Sequence, residues 1–143
     1  FSKAYGLAGI RLGIGMANAV IIKYFNKIKP PYNINTLTQK MALATLNDSS
    51  DVQSQVKALI FERQQMEKRL LSFDFVKKIY PSDANFLLVE VDDASSRYHQ
   101  FLTQGIVVRN RSSQLGCNNT IRISVGTPEE NITFINACKT IDQ

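Results

Sequence analysis

Thr120-Ile121-Arg122-Ile123-Ser124-Val125-Gly126-Thr127-Pro128-Glu129-Glu130 changes its period within one residue. Up to Val125 apolar and polar residues alternate, the pattern of a strand with one buried face. Ile121, Ile123 and Val125 share that face, which turns Arg122 and Ser124 to the other. At Thr127 the pattern stops. A Thr followed by Pro and, three residues on, by Glu is a capping box with Pro at the first helical position, so a helix starts there.

Working back from this end, Ile106–Arg111 reads as a further strand, on which Val107, Arg109 and Arg111 share a side. Ser95–Gln104 reads as a short helix closed by Gly105. Phe75–Tyr80 and Asn85–Val91 read as strands around a Pro81-Ser82-Asp83 turn. Ser50, with Gln53 as its box partner, starts a long helix to about Ser72, and Val52, Val56, Leu59, Ile60 and Leu70 recur on it at helical spacing. The order helix, two strands, helix, two strands, helix is α+β. Asn47-Asp48-Ser49-Ser50 is polar and turn-forming, which divides the chain into residues 1–47 and 48–143.

Upstream of that boundary, Asn35–Leu46 reads as a helix with Leu37, Met41 and Leu43-Ala44 on one side. Asn18 caps another through Val20–Ile28, which Pro30-Pro31 stops. Residues 1–17, with Gly6, Gly9, Gly13 and Gly15, read as a loop running into a buried strand near Arg11–Ala17.

The 143 residues are 44% hydrophobic and 20% charged, which excludes a mainly disordered chain. No apolar run approaches the length of a spanning helix, so no membrane association is expected. Cys117 and Cys138 lack the spacing of a disulfide scaffold or a zinc site; no metal is expected, and the chain reads as reduced and cytoplasmic. The net charge of +5 suggests nucleic acid until it is located. Lys3, Arg11, Lys23, Lys27, Lys29 and Lys40 stand in the first 47 residues with no acid, whereas the other 96 hold 11 basic and 12 acidic residues. Aromatic residues do not interleave with the basic ones as stacking platforms, so nucleic acid is not an expected partner.

Lys3 and Arg11 bracket a loop of small residues. Small residues let an anion approach, a guanidinium fork matches phosphate oxygens, and the Ser2 hydroxyl can donate to the same group. A lysine amine is also a nucleophile. The same spacing fits an ordinary surface lysine and a structural arginine. Likewise Arg109 and Arg122, each projecting from a strand, suit an anionic substrate or are solvated strand arginines.

The string Ser2-Lys3-Ala4-Tyr5-Gly6-Leu7-Ala8-Gly9-Ile10-Arg11-Leu12-Gly13 resembles the lysine motif of fold-type I aminotransferases that use pyridoxal 5′-phosphate (PLP), most nearly the histidinol-phosphate aminotransferase branch. The resemblance implies that Lys3 carries the cofactor and that Arg11 and Ser2 hold its phosphate. Gly105-Ile106-Val107-Val108-Arg109 and Ile121-Arg122-Ile123-Ser124-Val125-Gly126-Thr127-Pro128-Glu129-Glu130-Asn131 are similar to two blocks near the C-terminus of that family. They imply that Arg122 binds the carboxylate of glutamate or 2-oxoglutarate and that Arg109 contacts the phosphate of histidinol phosphate. The implied activity is amino-group transfer between L-histidinol phosphate and 2-oxoglutarate or glutamate, a step of histidine biosynthesis, with small-molecule substrates and a homodimeric full-length protein.

In that family the groups on the cofactor ring precede the lysine motif, whereas here only Phe1 and Ser2 do, and the first acid is Asp48. The chain is therefore expected to be a C-terminal portion: the end of the large PLP domain (1–47), then the small α+β domain (48–143), inactive by itself. Related readings are a threonine-phosphate decarboxylase or an aromatic aminotransferase, and, from another class, a non-catalytic folding or dimerisation unit. Asn85 lies in a block near the family's substrate side but equally suits a turn. His99 reads as a surface residue, Glu129-Glu130 as helix capping, and Lys77-Lys78 as a solvated face. Tyr32 stands in a stretch resembling a PY-containing family segment.

Overall fold

The alternation at Thr120–Ser124 is a strand in the middle of an antiparallel sheet. The structure, a computed structural model, describes residues 1–47 and 50–142. Asp48 and Ser49, in the expected boundary, lie outside the described residues. Two compact units divide at Val56/Lys57. The first contains a 3₁₀ turn (Ala8–Ile10), α1 (Ala19–Ile28), α2 (Thr36–Asn47) and the start of α3 (Ser50–Leu70). The second holds the rest of α3, then β1 (Val76–Tyr80), β2 (Phe86–Val91), α4 (Ala94–Thr103), β3 (Arg109–Asn110), β4 (Thr120–Ser124) and α5 (Pro128–Ile141).

In the second unit the strands lie in the order β1-β2-β4-β3, each pair antiparallel. Leu87, Val89 and Val91 of β2 and Ile121 and Ile123 of β4 turn to one face and are buried there, as period-2 alternation requires. That face forms the core with Phe75, Phe101 and Phe134. Phe101, fully buried, stacks on Phe134 with centroids 5.1 Å apart and meets Phe75 edge-on at 6.3 Å. On α3, Leu59 is half-buried and Arg63, Met66 and Leu70 are buried, in steps of three and four that make one helical stripe. Ile60, expected inside, is 39% exposed.

α5 begins as its sequence demands: the Thr127 hydroxyl accepts the Glu130 N–H, and the Glu130 carboxylate accepts the Thr127 N–H, with Pro128 opening the helix. Its end is tied down by Arg97. That guanidinium donates twice to Asp92, at 2.9 and 2.6 Å, and once to the Ile141 carbonyl at 2.6 Å. The hydrogen bonds from Arg97 hold the Asp92 carboxyl below its ordinary range.

Three sequence expectations need correction. The segment Arg11–Ala17 is not a buried strand: Arg11 is left-handed (φ 54°), residues 12–18 belong to no strand, and residues 13–17 are exposed. A strand needs a neighbour to take its N–H and C=O groups, and among the described residues none pairs with this segment. β3 pairs only at Arg109–Asn110, rather than over Ile106–Arg111, because the Ile106 N–H is taken by the Phe101 carbonyl at the end of α4. On α2 the buried residues are Thr38 and Ala42, while Leu37, Met41 and Leu43 are 79%, 51% and 59% exposed.

Candidate active site

β4 turns Arg122 away from the core, onto the sheet face opposite Ile121 and Ile123. Its cross-strand partner on β3 is Arg109, and on β2 it is Leu88. Like charges directly opposite one another are unfavourable by about 0.2–1 kcal/mol, so the pair is not there for stability. The Arg122 guanidinium carbon stands 5.2 Å from the centre of the Phe86 ring, which covers one of its faces. Its Nε is buried and has no hydrogen-bond partner among the described residues. A buried donor without an acceptor costs about 1–3 kcal/mol, a cost that an incoming oxyanion removes. Arg109 is exposed. Arg111 instead donates to the Gln114 side chain.

In the first unit Ser2 and Lys3 are exposed, at the head of a tight turn in which the Lys3 carbonyl accepts the Gly6 N–H and the Phe1 carbonyl accepts the Leu7 N–H, both at 3.0 Å. Gly6 sits at φ +64°, where a side chain is strained. The 3₁₀ turn then delivers Arg11, whose Nη1 donates to the Ala8 carbonyl at 3.0 Å. Behind it the Thr38 hydroxyl on α2 donates to the Ile10 carbonyl at 3.4 Å. Among the described residues neither the Lys3 amine nor the Ser2 hydroxyl has a hydrogen-bond or ion-pair partner, and no such contact joins them to Arg11. An amine, a hydroxyl and a guanidinium on one glycine-rich segment are a donor set that fits PLP: an amine for its aldehyde carbon, the other two for its phosphate.

The structure thus brings Arg109 and Arg122 together as strand partners and sets Ser2, Lys3 and Arg11 on one loop-and-turn segment. Asn85 contributes its backbone, the carbonyl accepting the Val125 N–H at 3.0 Å. His99 lies edge-on to Tyr98, and among the described residues no three His, Cys, Asp or Glu side chains are grouped to hold a metal. Tyr32 is 99% exposed with φ 56°. Sequence reasoning missed Phe86. Its signal was the alternation of Asn85–Val91, but only the β2–β4 register shows which ring lies beside Arg122.

Residues 1–138 match the family model for aminotransferase class I and II. The chain is 54% identical over 142 residues to the histidinol-phosphate aminotransferase of Christiangramia forsetii, covering 99% of this chain and 41% of that protein. It spans about 40% of the length of the curated relatives it matches. Among solved structures it is similar to histidinol-phosphate aminotransferase from Clostridium acetobutylicum (TM-score 0.90, 26% identity, 99% of this chain and 43% of that one). The enzyme of the same name from Sinorhizobium meliloti, in complex with pyridoxal 5′-phosphate, matches with a TM-score of 0.81 at 25% identity, over 99% and 40% of the two chains. The mixed helix-and-sheet architecture is that of the aminotransferases, and the chain belongs to the class I and II aminotransferase family.

Proposed function

We propose that this chain supplies the cofactor-carrying lysine and the anion-binding arginines of a PLP-dependent histidinol-phosphate aminotransferase. The observation that carries the reading is the register match of Arg109 with Arg122, with the Arg122 Nε buried and, among the described residues, unpartnered. Two adjacent guanidinium groups, one of them partly desolvated, suit a substrate bearing phosphate or carboxylate. The names of the relatives support the same substrate. Arg122 takes the carboxylate of glutamate or 2-oxoglutarate, and Arg109 the phosphate of L-histidinol phosphate.

Lys3 holds the cofactor through its ε-amine, and Ser2 and Arg11 hold its phosphate. When bound, PLP supplies an electron sink for charge that develops at the substrate carbon. The Lys3 amine, once free, moves a proton at that carbon, and the arginines keep the substrate oriented while it does so. Residues 1–47 are read as the end of the cofactor-binding large domain and 48–143 as the small domain of a cytoplasmic homodimer. Small molecules are the partners.

The test uses the protein at the full length of its relatives. Borohydride reduction in the presence of PLP fixes the cofactor on the peptide carrying Lys3, and Lys3→Ala abolishes both the label and amino transfer while leaving the circular dichroism unchanged. A label on another lysine, or transfer by Lys3→Ala at the parental rate, refutes the assignment. With histidinol phosphate the product is a ketone, and threonine phosphate offered in its place releases no carbon dioxide, which separates amino transfer from decarboxylation.

A further inference from the structure

Arg63 occupies a place in the buried stripe of α3 where an apolar residue would pack, between Leu59 and Met66. It is 8% exposed, and its Nη1 donates to the Ala84 carbonyl at 2.7 Å. Its approach to Asp83 is 3.9 Å and the Asp83 side chain is fully exposed, so that ion pair contributes little. From Ala84 a closed circuit of hydrogen bonds can be followed. The next residue, Asn85, accepts the Val125 N–H at 3.0 Å. The residue after Val125, Gly126, is gripped by Asn131 on α5: its N–H donates to Asn131 Oδ1 at 2.9 Å, and Asn131 Nδ2 donates to its carbonyl at 3.1 Å. The same Nδ2 donates to Glu62 Oε2 at 2.9 Å, one residue from Arg63 on α3. Asn131 is 4% exposed.

The circuit encloses the ends of β2 and β4 that carry Phe86 and Ser124, which are cross-strand partners. Phe86 follows Asn85 and covers the Arg122 guanidinium. It is braced a second time, by the Ser82 hydroxyl, which donates to the Phe86 carbonyl at 2.6 Å. A guanidinium fork binds an oxyanion well only at the correct angle, and displacement by about 1 Å can cost a hundredfold in rate. A buried arginine and a buried amide are expensive ways to fill a core, and hydrophobic residues of similar size commonly serve stability better. We propose that Arg63, Glu62 and Asn131 are positioning residues that fix the Ala84–Phe86 and Val125–Gly126 segments and thereby set the angle at which Arg122 takes the substrate anion. This rests on the proposed role of Arg122.

The test is a double-mutant cycle in the full-length holoenzyme, with KM for 2-oxoglutarate and kcat measured for Arg63→Met, Arg122→Gln and the double variant. Arg63→Met is expected to raise KM about tenfold with kcat changed less than about threefold, the pattern of lost substrate binding. Arg63→Lys, which keeps a donor, recovers part of that loss. In the Arg122→Gln background Arg63→Met has no further effect on KM. An equal rise in both backgrounds, or no rise in either, overturns the proposal while leaving Arg122 its role. An Arg122→Gln variant with parental KM overturns the role of Arg122 and the positioning with it. If Arg63→Met does not fold, the same cycle is run with Asn131→Asp, and additivity there refutes the proposal equally.

Discussion

Replacing Arg122 and Arg109 in turn by Gln separates two guanidinium groups that are strand neighbours but differ in exposure. Arg122 is half-buried, covered on one side by Phe86, and its Nε is buried without a hydrogen-bond partner among the described residues. A hydrogen bond made there to a charged group is worth about 1.5–3 kcal/mol, so Arg122→Gln is expected to lower kcat/KM about 10- to 150-fold. Arg109 is exposed, and an exposed ion pair is worth about 0.2–1 kcal/mol, so Arg109→Gln is expected to lower it less than about sixfold. Salt sharpens the contrast. Between low and high ionic strength the contribution of Arg109 is screened away, whereas that of Arg122 largely persists. Removing Arg109 also relieves the repulsion across the strand pair, so this variant is expected to be slightly more stable while less active, by about 0.2–1 kcal/mol. Initial rates of the full-length enzyme across a salt series, with urea unfolding of the same samples, make the measurement. Equal losses in the two variants, or a larger loss for Arg109→Gln, would refute the argument from burial.

Three further expectations concern the second unit. Cys138 is fully buried, and loss of solvent first, with the Asp142 carboxylate second, pushes its thiol up to about 12. The native protein keeps this proton while the unfolded chain loses it near the ordinary thiol value, so stability falls as pH rises from about 9 to 12, and Cys138→Ala removes that slope. Iodoacetamide followed by peptide mass measurement is expected to modify half-buried Cys117 in the native protein and Cys138 only after denaturation; early labelling of Cys138 contradicts its burial. Thr127→Ala deletes the hydroxyl that accepts the Glu130 N–H at 3.3 Å and is expected to cost about 1 kcal/mol, seen as a lower urea midpoint with an unchanged slope. A midpoint equal to the parent's would mean that Pro128 and Glu130 hold the start of α5 by themselves.

Much of this protein is legible from residues near one another in the chain. The start of α5 depends on four consecutive residues, Thr127 to Glu130, which satisfy each other's hydrogen bonds wherever the helix is placed. Asn18 accepts the Val20 N–H and opens α1 in the same local way. The faces of β4 follow from side-chain alternation, so the outward turn of Arg122 needed no knowledge of its neighbours. The motif from Ser2 to Gly13 carried its meaning in its letters, and the family match over residues 1–138 agrees with it.

Other features depend on partners distant in sequence. Arg11–Ala17 had the letters of a strand but no neighbour to pair with among the described residues, and β3 lost its first residues because Ile106 bonds back to α4. The opposition of Arg109 and Arg122 is a matter of register across a loop, which period alone leaves open. Arg63 reads in sequence as one more charge on a charged helix. It becomes a brace only because the Ala84 carbonyl, 21 positions away, comes within 2.7 Å. The caps of α1 and α5 and the faces of β4 were set by the sequence alone, because backbone sterics and neighbouring donors act within a turn. The angle of the arginine fork was decided by tertiary structure, because a hydrogen bond between distant segments exists only once both are in place.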